Sequence, residues 1–131
     1  MTSCLEYQAA MLVFYRRHVC RMDPWPMELE RAYAGYGAAV YETMWGPSEF
    51  TVTGRLRGFD RSARLEEITV PSLFTCGRFD EATPEAVAWY QSLLPGAELA
   101  LFEQSAHLAH LEERDRYNQV VREFLGRVES R

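Results

Sequence analysis

Long hydrophobic runs are missing from this 131-residue sequence, and cysteine is scarce. No apolar stretch approaches the roughly 20 residues that a membrane-spanning helix needs. The first residues also lack a basic segment followed by an apolar one, so they predict no secretory signal peptide. The three cysteines, Cys4, Cys20 and Cys76, are too widely spaced to form a C-x-x-C pair. We interpret them as free thiols, which predicts a reducing, cytoplasmic location.

Blocks of like charge are absent as well, because acidic and basic residues are interspersed along the chain. The net charge of −5 argues against nucleic acid or an anionic membrane as a partner. Apolar residues make up 47% of the chain and aromatic residues 13%, which is enough to build a packed core. The composition is therefore that of one globular domain.

The hydrophobic pattern changes between residues 55 and 67. Before this point the spacing predicts helices, with one from about Met27 to Ala38. After it, the apolar runs 68–76 and 98–102 are typical of buried strands. Each run precedes a predicted helix, and Thr83-Pro84 is a strong helix start. The sequence predicts an α/β fold with a helical segment at 1–55, a strand-helix-strand-helix portion at 56–131, a last helix over about 112–128, and parallel strands joined by a right-handed crossover.

Two residues that can carry acid–base chemistry follow these predicted strands, Asp80 after the first and His107 after the second. Taken singly, Asp80 fits a turn aspartate and His107 fits a buried histidine. Catalytic groups in open α/β sheets gather at the carboxyl ends of strands. The chain order acid then base matches a Ser-His-Asp triad whose nucleophile comes first. No serine in this sequence, including Ser105, has the G-x-S-x-G spacing of a nucleophile elbow.

A metal site is a weaker alternative at the same place. His107 and His110 form an H-x-x-H pair, but a catalytic zinc normally has three protein ligands and no third is apparent. Gly35 and Gly37 form a lone G-x-G that follows no strand, which is a poor dinucleotide signal. We expect no metal and no cofactor.

Several motifs together resemble the C-terminal part of the proline iminopeptidases (prolyl aminopeptidases), which are serine peptidases with the α/β-hydrolase fold. The motifs are Asp23-Pro-Trp-Pro26, Gly46-Pro-Ser-Glu-Phe50, the segment from Gly77 to Pro84, and the segment from His107 to Glu112. The resemblance covers nearly the whole chain. It implies a helical cap segment at 1–55 and the C-terminal part of the hydrolase core at 56–131.

The resemblance also implies roles for individual residues. Asp80 and His107 match the acid and the base of the triad. Glu49 and Glu81 match carboxylates that hold the free α-amine of a peptide substrate, and Arg21 matches a basic residue near that site. The family's N-terminal half, with its oxyanion loop and serine elbow, has no counterpart in these 131 residues. We therefore expect the chain to be inactive alone, and to pair with a complementary N-terminal half or with itself.

Two other functions remain open at this stage. One is a different α/β-hydrolase that acts on esters, amides or epoxides, although Glu49 and Glu81 favour a substrate that carries an amine. The other is a non-catalytic binding fragment that pairs with another chain, which the missing serine elbow favours.

Overall fold

The computed structural model describes residues 4–130 and divides them into two compact units. Residues 4–12 and 23–60 form the first unit, and residues 13–22 and 61–130 form the second. Residues 13–22 thus group with the strands of the second unit. The division of the chain into a cap at 1–55 and a core at 56–131 stays a prediction.

The helices of the N-terminal region are α1 (Leu5–His18), α2 (Met27–Ala34) and α3 (Ala38–Met44). The single helix predicted from Met27 to Ala38 is wrong, because the chain leaves the helix after Ala34 and starts α3 at Ala38. Gly35 and Gly37 lie at this break, and glycine is about 1 kcal/mol less favourable than alanine inside a helix. Inside the first unit, the Tyr7 hydroxyl lies 2.7 Å from Ser48 Oγ.

The second unit contains a two-stranded parallel sheet. Strand β1 (Leu73–Gly77) pairs with β2 (Glu98–Phe102) in a register that places Leu73 beside Glu98 and Gly77 beside Phe102. Helix α4 (Pro84–Ser92) connects the strands, and the Thr83 hydroxyl caps it by accepting the Ala86 N–H at 3.3 Å. The predicted strand-helix-strand order and parallel pairing are confirmed. The first strand is shorter than predicted and begins after Pro71, which has no N–H to donate to a ladder.

Three further helical segments complete the second unit. A 3₁₀-helix spans Ser62–Glu67 in the predicted connector, and α5 (Ala109–Glu112) and α6 (Arg114–Glu129) follow β2. The last helix predicted over about 112–128 corresponds to α6, and α5 is a further short helix that precedes it. In the described part of the chain, no helix has both the length and the apolarity to cross a membrane.

The core of the second unit lies where the ends of β1 and β2 meet the chain around Cys20. Its buried residues include Val19, Cys20, Cys76, Leu94, Phe102, Ala106 and Ala109. The Phe102 ring packs against the Tyr117 ring of α6 with 5.4 Å between centroids. The loop after β2 passes so close to Gly77 that a Cβ there would overlap the carbonyl oxygens of Ser105 and Ala106.

This close approach makes Gly77 sensitive to the smallest substitution. We expect Gly77→Ala to lower the free energy of unfolding by about 1–3 kcal/mol, because the new methyl group must push the loop away. Denaturant unfolding of the purified chain measures this change. Gly126→Ala in α6 is the matched control, since nothing lies within 4 Å of its Cβ and alanine is the better helix former. Equal stability of the two variants would contradict the close approach.

Candidate functional site

Asp80 lies three residues beyond the end of β1, and its side chain is only 6% exposed. Its Oδ1 atom accepts the Ala82 N–H at 2.9 Å and lies 3.0 Å from His107 Nδ1. The first contact is the turn-forming bond that aspartate makes with the backbone two residues on. The second joins the acid loop to the loop after β2. Asp80 can therefore be both a turn aspartate and the partner of His107, because its Oδ1 atom makes both contacts.

His107 lies in the loop between β2 and α5, and its side chain is 47% exposed. A carboxylate beside Nδ1 favours the tautomer with the proton on Nδ1, which makes Nε2 the acceptor nitrogen. An imidazole held in this way can take a proton at Nε2, and the nearby carboxylate stabilises the cation that forms. The pair thus has the geometry of a general base and its orienting acid.

The last residue of α1 and the residues just after it bond to both loops. The carbonyl oxygen of His18 accepts the N–H of Glu81 at 3.3 Å and the N–H of His107 at 3.2 Å. The next carbonyl, of Val19, accepts the Leu108 N–H at 3.1 Å. The His18 ring contributes a further contact, with Nδ1 2.8 Å from the Phe79 carbonyl oxygen. Residue types could not predict this role of His18 and Val19, because every residue presents a backbone carbonyl.

Arg21 spans the same two loops with its side chain. Its Nη1 donates to the Gln104 carbonyl at 3.0 Å, and its guanidinium carbon lies 3.8 Å from the centroid of the Phe79 ring. Cation–π contacts of this kind stabilise by about 0.5–1 kcal/mol at exposed sites. Arg21 therefore has a structural contact in each loop, and the substrate contact expected from the sequence stays a prediction.

Comparisons with known proteins show what the chain as a whole is similar to. No protein-family model matches the chain. It is 48% identical over 128 residues to the proline iminopeptidase of Heyndrickxia coagulans, covering 97% of this chain and 44% of the relative. It is 37% identical over 126 residues to the proline iminopeptidase of Saccharolobus solfataricus, covering 95% and 41%.

Solved structures give the same result. The crystal structure of proline iminopeptidase from Mycobacterium smegmatis matches with a TM-score of 0.87 and 36% identity, covering 96% of this chain and 43% of that one. The crystal structure of VinJ matches with a TM-score of 0.86 and 40% identity, covering 97% and 44%. The chain belongs to the proline iminopeptidase family. It spans less than half the length of these relatives and matches their C-terminal part, and the predicted α/β-hydrolase fold is confirmed.

The two glutamates that the family resemblance assigns to substrate binding lie in different units. Glu81 follows Asp80 directly and is partly buried, and its N–H is the one that His18 accepts. Glu49 belongs to the first unit, where its carbonyl oxygen accepts the Trp45 ring N–H at 3.0 Å. Their meeting around a substrate amine stays a prediction.

Ser105 is close to His107 in sequence, but its environment is that of a structural serine. It is fully buried, and its hydroxyl donates to Glu113 Oε2 at 2.5 Å. A hydroxyl held by a carboxylate in this way is not available to attack a substrate. The expectation that Ser105 is not the nucleophile agrees with this contact.

The buried thiols are unsuited to nucleophilic chemistry as well. Burial raises the pKa of Cys76 to about 11, with the negative charges of Asp80 and Glu85 adding to the effect. Burial also raises the pKa of Cys20. The thiolate is the reactive form of cysteine, so both groups are inert at neutral pH.

We expect one fast thiol in the native chain, that of the exposed Cys4. A rise in the pKa of Cys76 from 9.0 to about 11 leaves on the order of 100-fold less thiolate near neutral pH, and burial slows reagent access further. Titration with a chromogenic disulfide, in native and in denaturing buffer, measures the fast and total thiols. Cys4→Ser should remove the fast phase, and a fast phase that persists in this variant would contradict the burial of the other two.

Proposed function

We propose that this chain carries the acid and the base of a serine aminopeptidase that releases N-terminal proline from peptides. The observation that supports the proposal most directly is the 3.0 Å contact between His107 Nδ1 and Asp80 Oδ1. It joins the loops that follow two parallel strands, in a chain related to proline iminopeptidases over 97% of its length. Asp80 is the acid and His107 the base in this proposal.

The chemistry proceeds through an acyl-enzyme. A serine hydroxyl attacks the carbonyl carbon of the N-terminal residue, and His107 takes the hydroxyl proton at Nε2. The protonated imidazole, stabilised by Asp80, then gives that proton to the departing amine. A water molecule hydrolyses the ester by the same proton transfers. General acid–base assistance of this kind contributes roughly 10²–10⁴ in rate.

The serine and the oxyanion donors come from outside these 131 residues in this proposal. The sequence contains no G-x-S-x-G elbow, and the solved relatives are more than twice as long. We therefore propose a polypeptide with the family's N-terminal half as the partner, with self-association as the alternative. Because the chemistry uses only amino-acid side chains, the proposal includes no cofactor, and the free thiols favour the cytoplasm as its location.

Substrate selection falls to Glu49, Glu81 and Arg21 in the proposal. Two carboxylates around an ammonium form charge-assisted hydrogen bonds with it. An acylated amine carries no charge and leaves the carboxylates unpaired. The site would therefore select peptides with a free N-terminus, with Arg21 holding the acid loop through Phe79.

A non-catalytic binding fragment is the second candidate, and the missing serine elbow is the observation that favours it. Adding the N-terminal half of a proline iminopeptidase separates the two functions, because a non-catalytic fragment would not restore activity. A different α/β-hydrolase activity, on esters, amides or epoxides, is the outcome if the amine plays no part in selection.

We expect the purified chain alone to leave prolyl-arylamides intact, because the nucleophile and oxyanion donors are missing. Mixing or co-expressing it with the N-terminal half of a proline iminopeptidase should restore release of the arylamine. His107→Ala should abolish the restored activity, and Asp80→Asn should lower kcat by roughly 10⁴. His110→Ala, three residues away, is the control and should keep it. Restored activity that survives His107→Ala would refute the assigned base.

In the reconstituted enzyme, Glu49→Gln and Glu81→Gln should each weaken the preference for a free amine. KM for the prolyl-arylamide should rise while kcat changes little, if the ammonium is held equally in the ground and transition states. The measurement compares kcat/KM for prolyl-arylamide and its N-acetylated counterpart. Glu123→Gln, on exposed α6, is the matched control. If both site variants still distinguish the free amine from the acetylated one as the unsubstituted enzyme does, the assignment of Glu49 and Glu81 is refuted, and a different α/β-hydrolase activity is favoured.

A further inference from the structure

Five consecutive backbone N–H groups, from Gln104 to Leu108, are hydrogen-bonded in the loop that carries His107. Backbone carbonyls accept three of them, those of Ser105, His107 and Leu108. Glutamate side chains accept the other two. Because an unpaired buried N–H is costly, the pairing of every N–H in this stretch favours one conformation of the loop.

Two adjacent glutamates provide the side-chain acceptors, and they do so differently. Glu113 uses a single oxygen, Oε2, which accepts the Gln104 N–H at 2.9 Å and the Ser105 hydroxyl. Glu112 uses both oxygens. Its Oε2 accepts the Ala106 N–H at 2.8 Å, and its Oε1 accepts the Arg21 N–H at 2.8 Å.

The Glu112 carboxylate thus bridges two chain segments at the position next to the base. Ala106 directly precedes His107, and Arg21 follows the segment whose His18 carbonyl accepts the His107 N–H. That same carbonyl accepts the Glu81 N–H of the acid loop. The bridge, the His18 carbonyl and the Asp80–His107 contact form one connected set of hydrogen bonds. Because Ala106 directly precedes His107, a shift of the Ala106 backbone would move the exposed imidazole away from Asp80.

We propose that Glu112 is a positioning residue that holds the His107 imidazole against Asp80. It acts through the backbone of Ala106 and Arg21 and does not itself touch the imidazole in the contacts described above. The proposal rests on the proposed function only in taking His107 as the base. Hydrogen bonds to a charged group are stronger than those between neutral groups, so a bridge with two of them can fix the loop.

The different use of oxygen atoms gives a matched pair of substitutions. Glutamine has one carbonyl oxygen, and its NH₂ group cannot accept a hydrogen bond. Glu112→Gln must therefore lose one of its two backbone contacts. Glu113→Gln can keep both of its contacts, because both donors meet the same oxygen. Both variants remove one negative charge, at neighbouring positions. A difference between them therefore reports the lost hydrogen bond and not the lost charge.

The experiment is NMR on the isotope-labelled 131-residue chain and on the two variants, with no activity required. It follows amide hydrogen exchange at Ala106 and Arg21, and the ring N–H proton that His107 shares with Asp80. In Glu112→Gln we expect at least one of these amides to exchange on the order of 10- to 100-fold faster, and the His107 ring proton to broaden or vanish. Glu113→Gln should leave the ring proton in place.

An unchanged ring proton in Glu112→Gln, or its equal loss in both variants, would overturn the proposal. If Glu112→Gln fails to fold, exchange in the unsubstituted chain decides: slow exchange at both Ala106 and Arg21 supports the bridge, and exchange at the unstructured rate at either one refutes it. Failure of the proposed peptidase would appear separately, as restored activity that does not need His107. These proton measurements do not depend on that result.

Discussion

The arrangement of the candidate site depends on the carbonyl oxygen of His18. It accepts one N–H from the acid loop and one from the histidine loop, at Glu81 and His107. The two loops come from places about 25 residues apart in the chain. The His18 carbonyl joins them, and so does the direct hydrogen bond from the Phe79 N–H to the Ser105 carbonyl oxygen at 3.0 Å. Gly77 allows this meeting, since its missing side chain leaves room for the backbone at Ser105 and Ala106. The 3.0 Å contact between Asp80 and His107 is the consequence.

Burial of Asp80 illustrates how the fold accommodates a carboxylate at a strand end. A buried carboxylate is costly unless hydrogen bonds replace its hydration. The Ala82 N–H and the His107 ring meet this requirement at Oδ1. Asp80 is therefore both the turn residue that shapes the entry to α4 and the partner of the imidazole. One side chain links local backbone geometry to the chemistry of the site.

The sequence predicted those parts of the structure that depend on local signals. Thr83-Pro84 marked the start of α4, the run 98–102 matched β2 in full, and the positions of Asp80 and His107 after two strands suggested their meeting. It failed at the break between α2 and α3, where Gly35 and Gly37 interrupt a helical pattern. It also failed at His18, which acts through a backbone carbonyl that any residue type could present. The role of Glu112 could not be predicted from the sequence either. Only the hydrogen bond from the Ala106 N–H to its side chain distinguishes it from a glutamate at a helix start.

The hydrogen bonds of His107 to Asp80 and to the His18 carbonyl lie within residues 13–22 and 61–130, as does the Glu112 bridge. A two-stranded sheet is marginal by itself, so the helices and the 18–21 segment contribute much of what holds this unit together. The contact between the acid and the base is thus made inside one unit. In the proposed function, the nucleophile would meet an imidazole that is already oriented, and catalysis gains when the entropy of orientation is lost before the reactants meet.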